Sequence, residues 1–444
     1  MKKTLLAASL LFAAQTVFAD DLITAWTAAQ KADATYRAAY NGLLAGQENV
    51  VQGRALLLPE VTLSGNATRS HVDFNSGNEA GKYPSSLQSG NSAGYTLSLT
   101  QPIYRIEALA GYDQQKLQTA LAKIQYKTAE QDLIQRVATA YFDVALAEEK
   151  IRQINAQKDA VSQQLAQAKK SFEVGVSTIT DVDSAQASFD TLLAQEIVAQ
   201  NDREIKYQAY EQLTGLNPQS VAQVNDHIVP SLPQPADVNA WISRAEATNY
   251  SLLSQRLNQS IAQREIDKYR AETAPSVDLV ASYGDKHDAS GISKSGGNDV
   301  TKTAQIGILL SIPLYTGGNR SSQYRQAIAK NEQQRDLVEA SRRSAVLSTR
   351  QAFLGMQNGV AQVKALTQSL NSSKSLLDST TLGKEVGVRT IVDVLNAQQQ
   401  YYSTRYDLTA ARYSYLINRL QLAAAVGALG EQDLLETNNL LLAK

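Results

Sequence analysis

Cysteine is absent from the 444 residues, which excludes disulfides, thiolate metal sites and a lipid-bearing N-terminal cysteine. Histidine is scarce: His71, His227 and His287 are the only three. His71 and His287 stand 216 apart, with Asp285 and Asp288 beside the second, a grouping better read as solvated loop residues than as a metal site. The formal net charge is −1, so neither sign dominates and nothing points to nucleic acid as a partner. Proline numbers nine, and none falls in 105–172 or 319–385. Beyond the N-terminus no run reaches the roughly 18 apolar residues that a membrane helix needs. Phosphate loops, nucleophile elbows and metal-ligand spacings are also missing, so no enzyme, cofactor or metal is expected.

What is present begins with a secretory signal over 1–19. Lys2 and Lys3 precede an apolar run from Leu5 to Ala14, and Val17-Phe18-Ala19 offers a small-residue cleavage site. A membrane anchor is disfavoured because Gln15 and Thr16 end the run too early.

The rest of the chain repeats itself. Ala25-Trp26 returns as Ala240-Trp241, 215 residues on, and these are the only two tryptophans. Arg54-Ala55 and Pro59 return as Arg270-Ala271 and Pro275 at a spacing of 216. Gln101-Pro102-Ile103-Tyr104 matches Ile312-Pro313-Leu314-Tyr315 at 211, while Gly175/Gly387 and Gly215/Gly427 are both 212 apart. Landmarks in one order at nearly one spacing mark an internal duplication. The expected layout is repeat A over 20–233 and repeat B over 234–444, with a proline-containing linker at 214–237. Each repeat opens with a helix, about 22–57 and 238–272, that Pro59 or Pro275 stops.

After each proline the period becomes two. Val61, Leu63 and Ala67 share a face against Thr62, Ser64 and Asn66; Tyr95, Leu97 and Leu99 alternate with Thr96, Ser98 and Thr100. Val277, Leu279, Ala281 and Tyr283, then Ile306, Ile308 and Leu310, repeat the pattern. Strands are expected at 60–75, 93–103, 276–285 and 303–314, joined by polar loops at 70–93 and 285–302. A soluble sheet with one wet face gives the same alternation. In lipid, however, four strands cannot close a barrel, and a lone sheet would leave unpaired edges, so several chains would have to combine.

The proline-free stretches 105–172 and 319–385 read as very long helices, each returning through a hairpin (104–214 and 315–427). At 1.5 Å per residue, 67 residues would reach roughly 100 Å. Their apolar residues are sparse and often small, which suits thin coiled coils with polar groups on both wall faces, as a water-filled tube requires; an ordinary coiled-coil rod also fits. The reversals are Val174-Gly175-Val176-Ser177-Thr178-Ile179-Thr180-Asp181 and Val386-Gly387-Val388-Arg389-Thr390-Ile391-Val392-Asp393. Gly175 and Gly387 suit left-handed C-caps, Ser177 or Thr178 and Thr390 can cap the returning helices, and each Asp suits a helix N-terminus.

Val386–Leu395, Ala411-Arg412-Tyr413-Ser414-Tyr415-Leu416-Ile417-Asn418 and Gly430-Glu431-Gln432-Asp433-Leu434-Leu435 together resemble the TolC family of outer-membrane efflux and secretion channels. The likeness covers nearly all of the chain after the signal. It implies a mixed fold: a transmembrane β-barrel shared by a homotrimer, four strands per chain, continuous with a long periplasmic α-helical barrel and a mixed belt around its middle. It also implies a passive exit duct for multidrug efflux or type I secretion, working with a periplasmic adaptor and an inner-membrane pump or ABC exporter. The alternative is a non-pore structural coiled-coil protein of the cell envelope. By the resemblance, Arg389 links to Asp181 and Thr180 as a latch, and a family tyrosine in that network is replaced by Lys384. The pore constriction falls at Asp393, with Asn396 in place of a second family aspartate. The turns Gly175-Val176-Ser177 and Gly387-Val388 are the expected adaptor-docking tips. Without the resemblance, Arg389 and Asp181 read as solvated tip charges.

Overall fold

The computed structural model describes residues 21–75, 85–217, 221–225, 228–270, 273–289, 292 and 297–441. The expected signal at 1–19, and His227, lie outside them. The first copy comprises α1 (Leu22–Ala32), α2 (Ala34–Ala55), β1 (Glu60–Asn75), β2 (Ser85–Arg105), α3 (Ile106–Glu173) and α4 (Ile179–Thr214). The second comprises α5 (Val238–Thr248), α6 (Tyr250–Tyr269), β3 (Ser276–Asp288), β4 (Asp299–Ser311), α7 (Asn319–Glu385) and α8 (Ile391–Ala425), and α9 (Glu431–Asn438) follows.

Two expectations are corrected. The opening helix of each copy is two helices, because an Asx residue interrupts it. Asp33 takes extended backbone and accepts from Tyr36 N at 3.0 Å, while Asn249 does the same for Leu252 N at 3.0 Å. These residues sit 216 apart, so the break itself is duplicated. The strands also differ from their expected bounds. β2 starts at Ser85 and β4 at Asp299, because backbone pairing continues where side-chain alternation has faded. β4 stops at Ser311, short of 314: Pro313 lacks the N–H that a ladder needs. Pro102 is tolerated inside β2 because the register shifts there, between Pro102 and Tyr104.

One compact unit takes Asn41–Tyr126 and Leu253–Ser341. Its sheet is antiparallel in the order β1-β2-β3-β4. Val61, Leu99, Ala281 and Ile306 form one cross-strand row, and Leu63, Leu97, Tyr283 and Ala304 form another on the same face. The opposite face carries Thr62, Ser98, Ser282 and Gln305. The apolar face is uncovered, with Leu63 70% and Ile306 78% exposed. Where β2 runs into α3, Arg105 bonds the buried Asp278 of β3 at 2.8 Å.

The other unit takes the described residues within 1–40, 127–252 and 342–444. Its main core joins Trp26 of α1, Val137, Tyr141 and Phe142 of α3, Tyr210 of α4 and Tyr413, Leu416 and Leu420 of α8. Tyr141 donates to Ala222 O at 3.1 Å, and the Tyr415 hydroxyl donates to Ser231 O at 3.0 Å. Burial lifts the Tyr413 phenol to about 12; its oxygen accepts from Val224 N at 3.2 Å. Tyr413 and Tyr415 of α8 therefore belong to the packed core. A smaller cluster (Val161, Leu165, Ala185, Leu192, Ile391, Leu395) binds α3, α4 and α8 closer to the tips.

Candidate gate at the helical tips

Both reversals are built alike. In the first, α3 ends with Val176 N donating to Ser171 O at 2.9 Å, and Gly175 sits at φ 76°. In the second, Val388 N donates to Gly383 O at 2.8 Å, and Gly387 sits at φ 81°. Only glycine holds that left-handed geometry without a Cβ penalty. Thr178 and Thr390 then open the returning helices through reciprocal capping boxes with Asp181 and Asp393.

The carboxylates are engaged by these caps. Asp181 Oδ2 accepts from Ser177 Oγ at 2.7 Å, Thr178 Oγ1 at 3.0 Å and Thr178 N at 3.1 Å. The Ser177 hydroxyl, the Thr178 amide and the charge of Lys384 together hold its carboxyl below the usual value of 3.8. Asp181 Oδ1 makes no bond to the described residues. Thr180 Oγ1 lies 2.9 Å from Thr178 Oγ1. Asp393 Oδ2 accepts from Thr390 N and Thr390 Oγ1, each at 2.9 Å. The Thr390 amide, its hydroxyl and the charge of Arg389 lower that carboxyl as well.

Within one chain the structure brings Lys384 to the first hairpin, where its Nζ donates to Gln167 Oε1 of α3 at 2.8 Å. It does not join Arg389 to Asp181 or Thr180; Arg389 lies against its own hairpin. Asn396 is exposed one turn after Asp393 and lines a cavity of about 400 Å³ with Gln153, Gln157, Thr191 and Gln399. Val176 and Val388 are 77% and 75% exposed, apolar side chains at the two tips. Gln167 was not singled out from the sequence, where it is one of many glutamines in α3.

Elsewhere, His287 lies 3.4 Å from Asp285, and His71 bonds Ser89. Among the described residues no group of His, Cys, Asp and Glu could hold a metal ion, and no helix is long and apolar enough to cross a membrane.

Comparison with known proteins matches these features. The outer membrane protein TolC of Escherichia coli (strain K12) is 34% identical over 402 residues, covering 89% of this chain and 79% of the relative. The alkaline protease secretion protein AprF of Pseudomonas aeruginosa is 31% identical over 436 residues, covering 97% and 89%. The crystal structure of the Campylobacter jejuni CmeC outer membrane channel shares the fold at a TM-score of 0.79 and 18% identity, over 95% of this chain and 90% of that one. The outer membrane efflux protein family matches twice, over 25–216 and 241–428, once for each copy of the repeat. The chain belongs to the outer membrane efflux protein family.

Proposed function

We propose that this chain is a passive exit duct of the outer membrane for drug efflux and type I protein secretion, closed by a latch at its helical tips. Three copies pool four strands each into one barrel. The sheet is the observation that carries this reading: its apolar face is bare, and β1 and β4 are each paired on one side only. An unpaired backbone group in hydrocarbon costs several kcal/mol, so β1 of one copy has to pair with β4 of the next. The apolar face then meets outer-membrane lipid and the serine and threonine face meets water.

A periplasmic adaptor (membrane fusion) protein docks at the tip turns Gly175-Val176-Ser177 and Gly387-Val388, where the bare valines offer contact. An inner-membrane pump or ABC exporter supplies the energy. Arg389 of one hairpin reaches Asp181 and Thr180 of a neighbouring chain; the free Oδ1 of Asp181 supports this, because the cap uses only Oδ2. Such exposed charge-assisted pairs contribute about 0–1 kcal/mol each, so three of them hold a latch that a docking partner can release. Asp393 supplies a ring of three carboxylates at the constriction, and Asn396 adds none.

Conductance in planar bilayers, together with the mass of the detergent-solubilised protein, tests the reading. A trimer that conducts ions is expected. A solitary, non-conducting chain would overturn it in favour of a structural coiled-coil protein of the envelope.

A further inference from the structure

One carbonyl anchors the second tip. Val388 N and Arg389 N both donate to Gly383 O, at 2.8 and 3.1 Å. Gly383 is buried, and the stem of Arg389 lies across it. A Cβ at 383 would stand 2.7 Å from Arg389 Cγ, 3.4 Å from Arg389 Cβ and 3.5 Å from Val388 Cγ2. The backbone does not require glycine there: Gly383 lies within α7 and is not among the glycines of positive φ. Glycine inside a helix costs roughly 0.5–1 kcal/mol relative to alanine, so its presence needs another reason. Contact supplies one.

The first copy points the same way. At the duplication spacing of 212, Gly383 corresponds to Ser171 and Arg389 to Ser177. Ser177 is short and turns to Asp181 at 2.7 Å, which leaves room for a side chain at 171. A long residue at the turn thus accompanies a missing side chain at its anchor, and a short residue accompanies a present one.

We infer that Gly383 is a positioning residue of the gate, whose bare Cα is the seat that holds the Arg389 stem and so sets where the guanidinium is presented. This rests on the latch reading of Arg389. Filling the seat with a methyl group pushes Cγ aside by several tenths of an ångström at least, and the displacement grows toward the end of the side chain.

Single-channel conductance in planar bilayers tests it, using full-length Gly383→Ala, Arg389→Ser and the double variant, with Ser171→Ala as the control. Gly383→Ala is expected to raise conductance in the same direction as Arg389→Ser. The double variant should conduct no more than Arg389→Ser alone, because both changes act through one side chain. Ser171→Ala should match the wild type. Wild-type conductance for Gly383→Ala beside a raised Arg389→Ser overturns the seat and leaves the latch standing. An unchanged Arg389→Ser sinks the latch itself. Additive effects in the double variant also overturn the seat, since Gly383 would then act independently of the arginine. If Gly383→Ala fails to assemble, Gly383→Ser/Arg389→Ser re-creates the Ser171/Ser177 pairing of the first tip. Its conductance should equal that of Arg389→Ser, and a higher value counts against the seat.

Discussion

Lys384 and Gln167 join the two hairpins of one chain: the lysine Nζ on α7 donates to the glutamine Oε1 on α3 at 2.8 Å. The same ammonium lowers the Asp181 carboxyl of α4, so one side chain acts on both helices of the first hairpin. This tie lies within a chain, whereas the proposed Arg389 link runs between chains. Lys384→Ala should therefore loosen the tip without breaking the ring of latches. We expect a rise in conductance smaller than that of Arg389→Ser. A rise as large as that of Arg389→Ser would mean that the lysine belongs to the latch itself.

Arg389→Ser removes the guanidinium and leaves at 389 the residue type that the first tip carries at Ser177. In a trimer the substitution removes all three pairs, at about 0–1 kcal/mol each, and every 1 kcal/mol of closing energy lost raises the open-to-closed ratio roughly fivefold. Planar-bilayer recordings should show larger or longer openings; identical records would remove Arg389 from the gate.

At the proposed constriction, charge and capping have to be separated, because Asp393 also holds the start of α8. Asp393→Asn keeps an acceptor for Thr390 N and deletes the charge. Reversal potentials across a KCl gradient should show weaker cation preference, and Asn396→Asp should strengthen it by adding a second carboxylate ring. No shift in either variant would place the constriction elsewhere.

Acid should act on the tip late. The folded pKa of Asp181 lies below its usual 3.8, so the charged form is favoured in the folded tip and its contribution is complete above that value. It disappears only as pH falls through the depressed folded value. The closed-state conductance should stay flat from neutral pH to about 4 and rise below it. A rise near pH 6 would point to a different titrating group.

Leu416 is fully buried in the core that joins α1, α3, α4 and α8. Leu416→Ala should cost about 2–5 kcal/mol through lost burial and the cavity left behind. The readout is the temperature at which the purified protein loses its helical signal, compared with that of the exposed Leu376→Ala. Equal temperatures for the two variants would contradict the packing described.

Much of this architecture was readable in the chain because the relevant energies are local. Gly175 and Gly387 mark the two reversals since only a residue without a Cβ sits easily at positive φ, and Thr178 and Thr390 each cap a helix using a partner three residues on. Period-two patterning located all four strands, and matched spacings revealed the duplication. Asp33 and Asn249 carried a readable signal as well: each is an Asx residue recurring at 216 that breaks a stretch rich in helix formers.

The rest was decided by tertiary structure. Lys384 and Gln167 are 217 residues apart, and nothing near either one specifies the other; only the tertiary fold brings them to hydrogen-bond distance. The extra length of β2 follows from backbone pairing with a neighbour, which side-chain alternation does not report. The use of Asp181 Oδ2 by its own cap, and the bare seat at Gly383 beneath Arg389, exist only once the turns have closed. Sequence alone set the repeat, the turns and the caps, because nearest-neighbour sterics and hydrogen bonds suffice for these. Which distant side chains meet was left to the fold, because that depends on where whole helices come to lie.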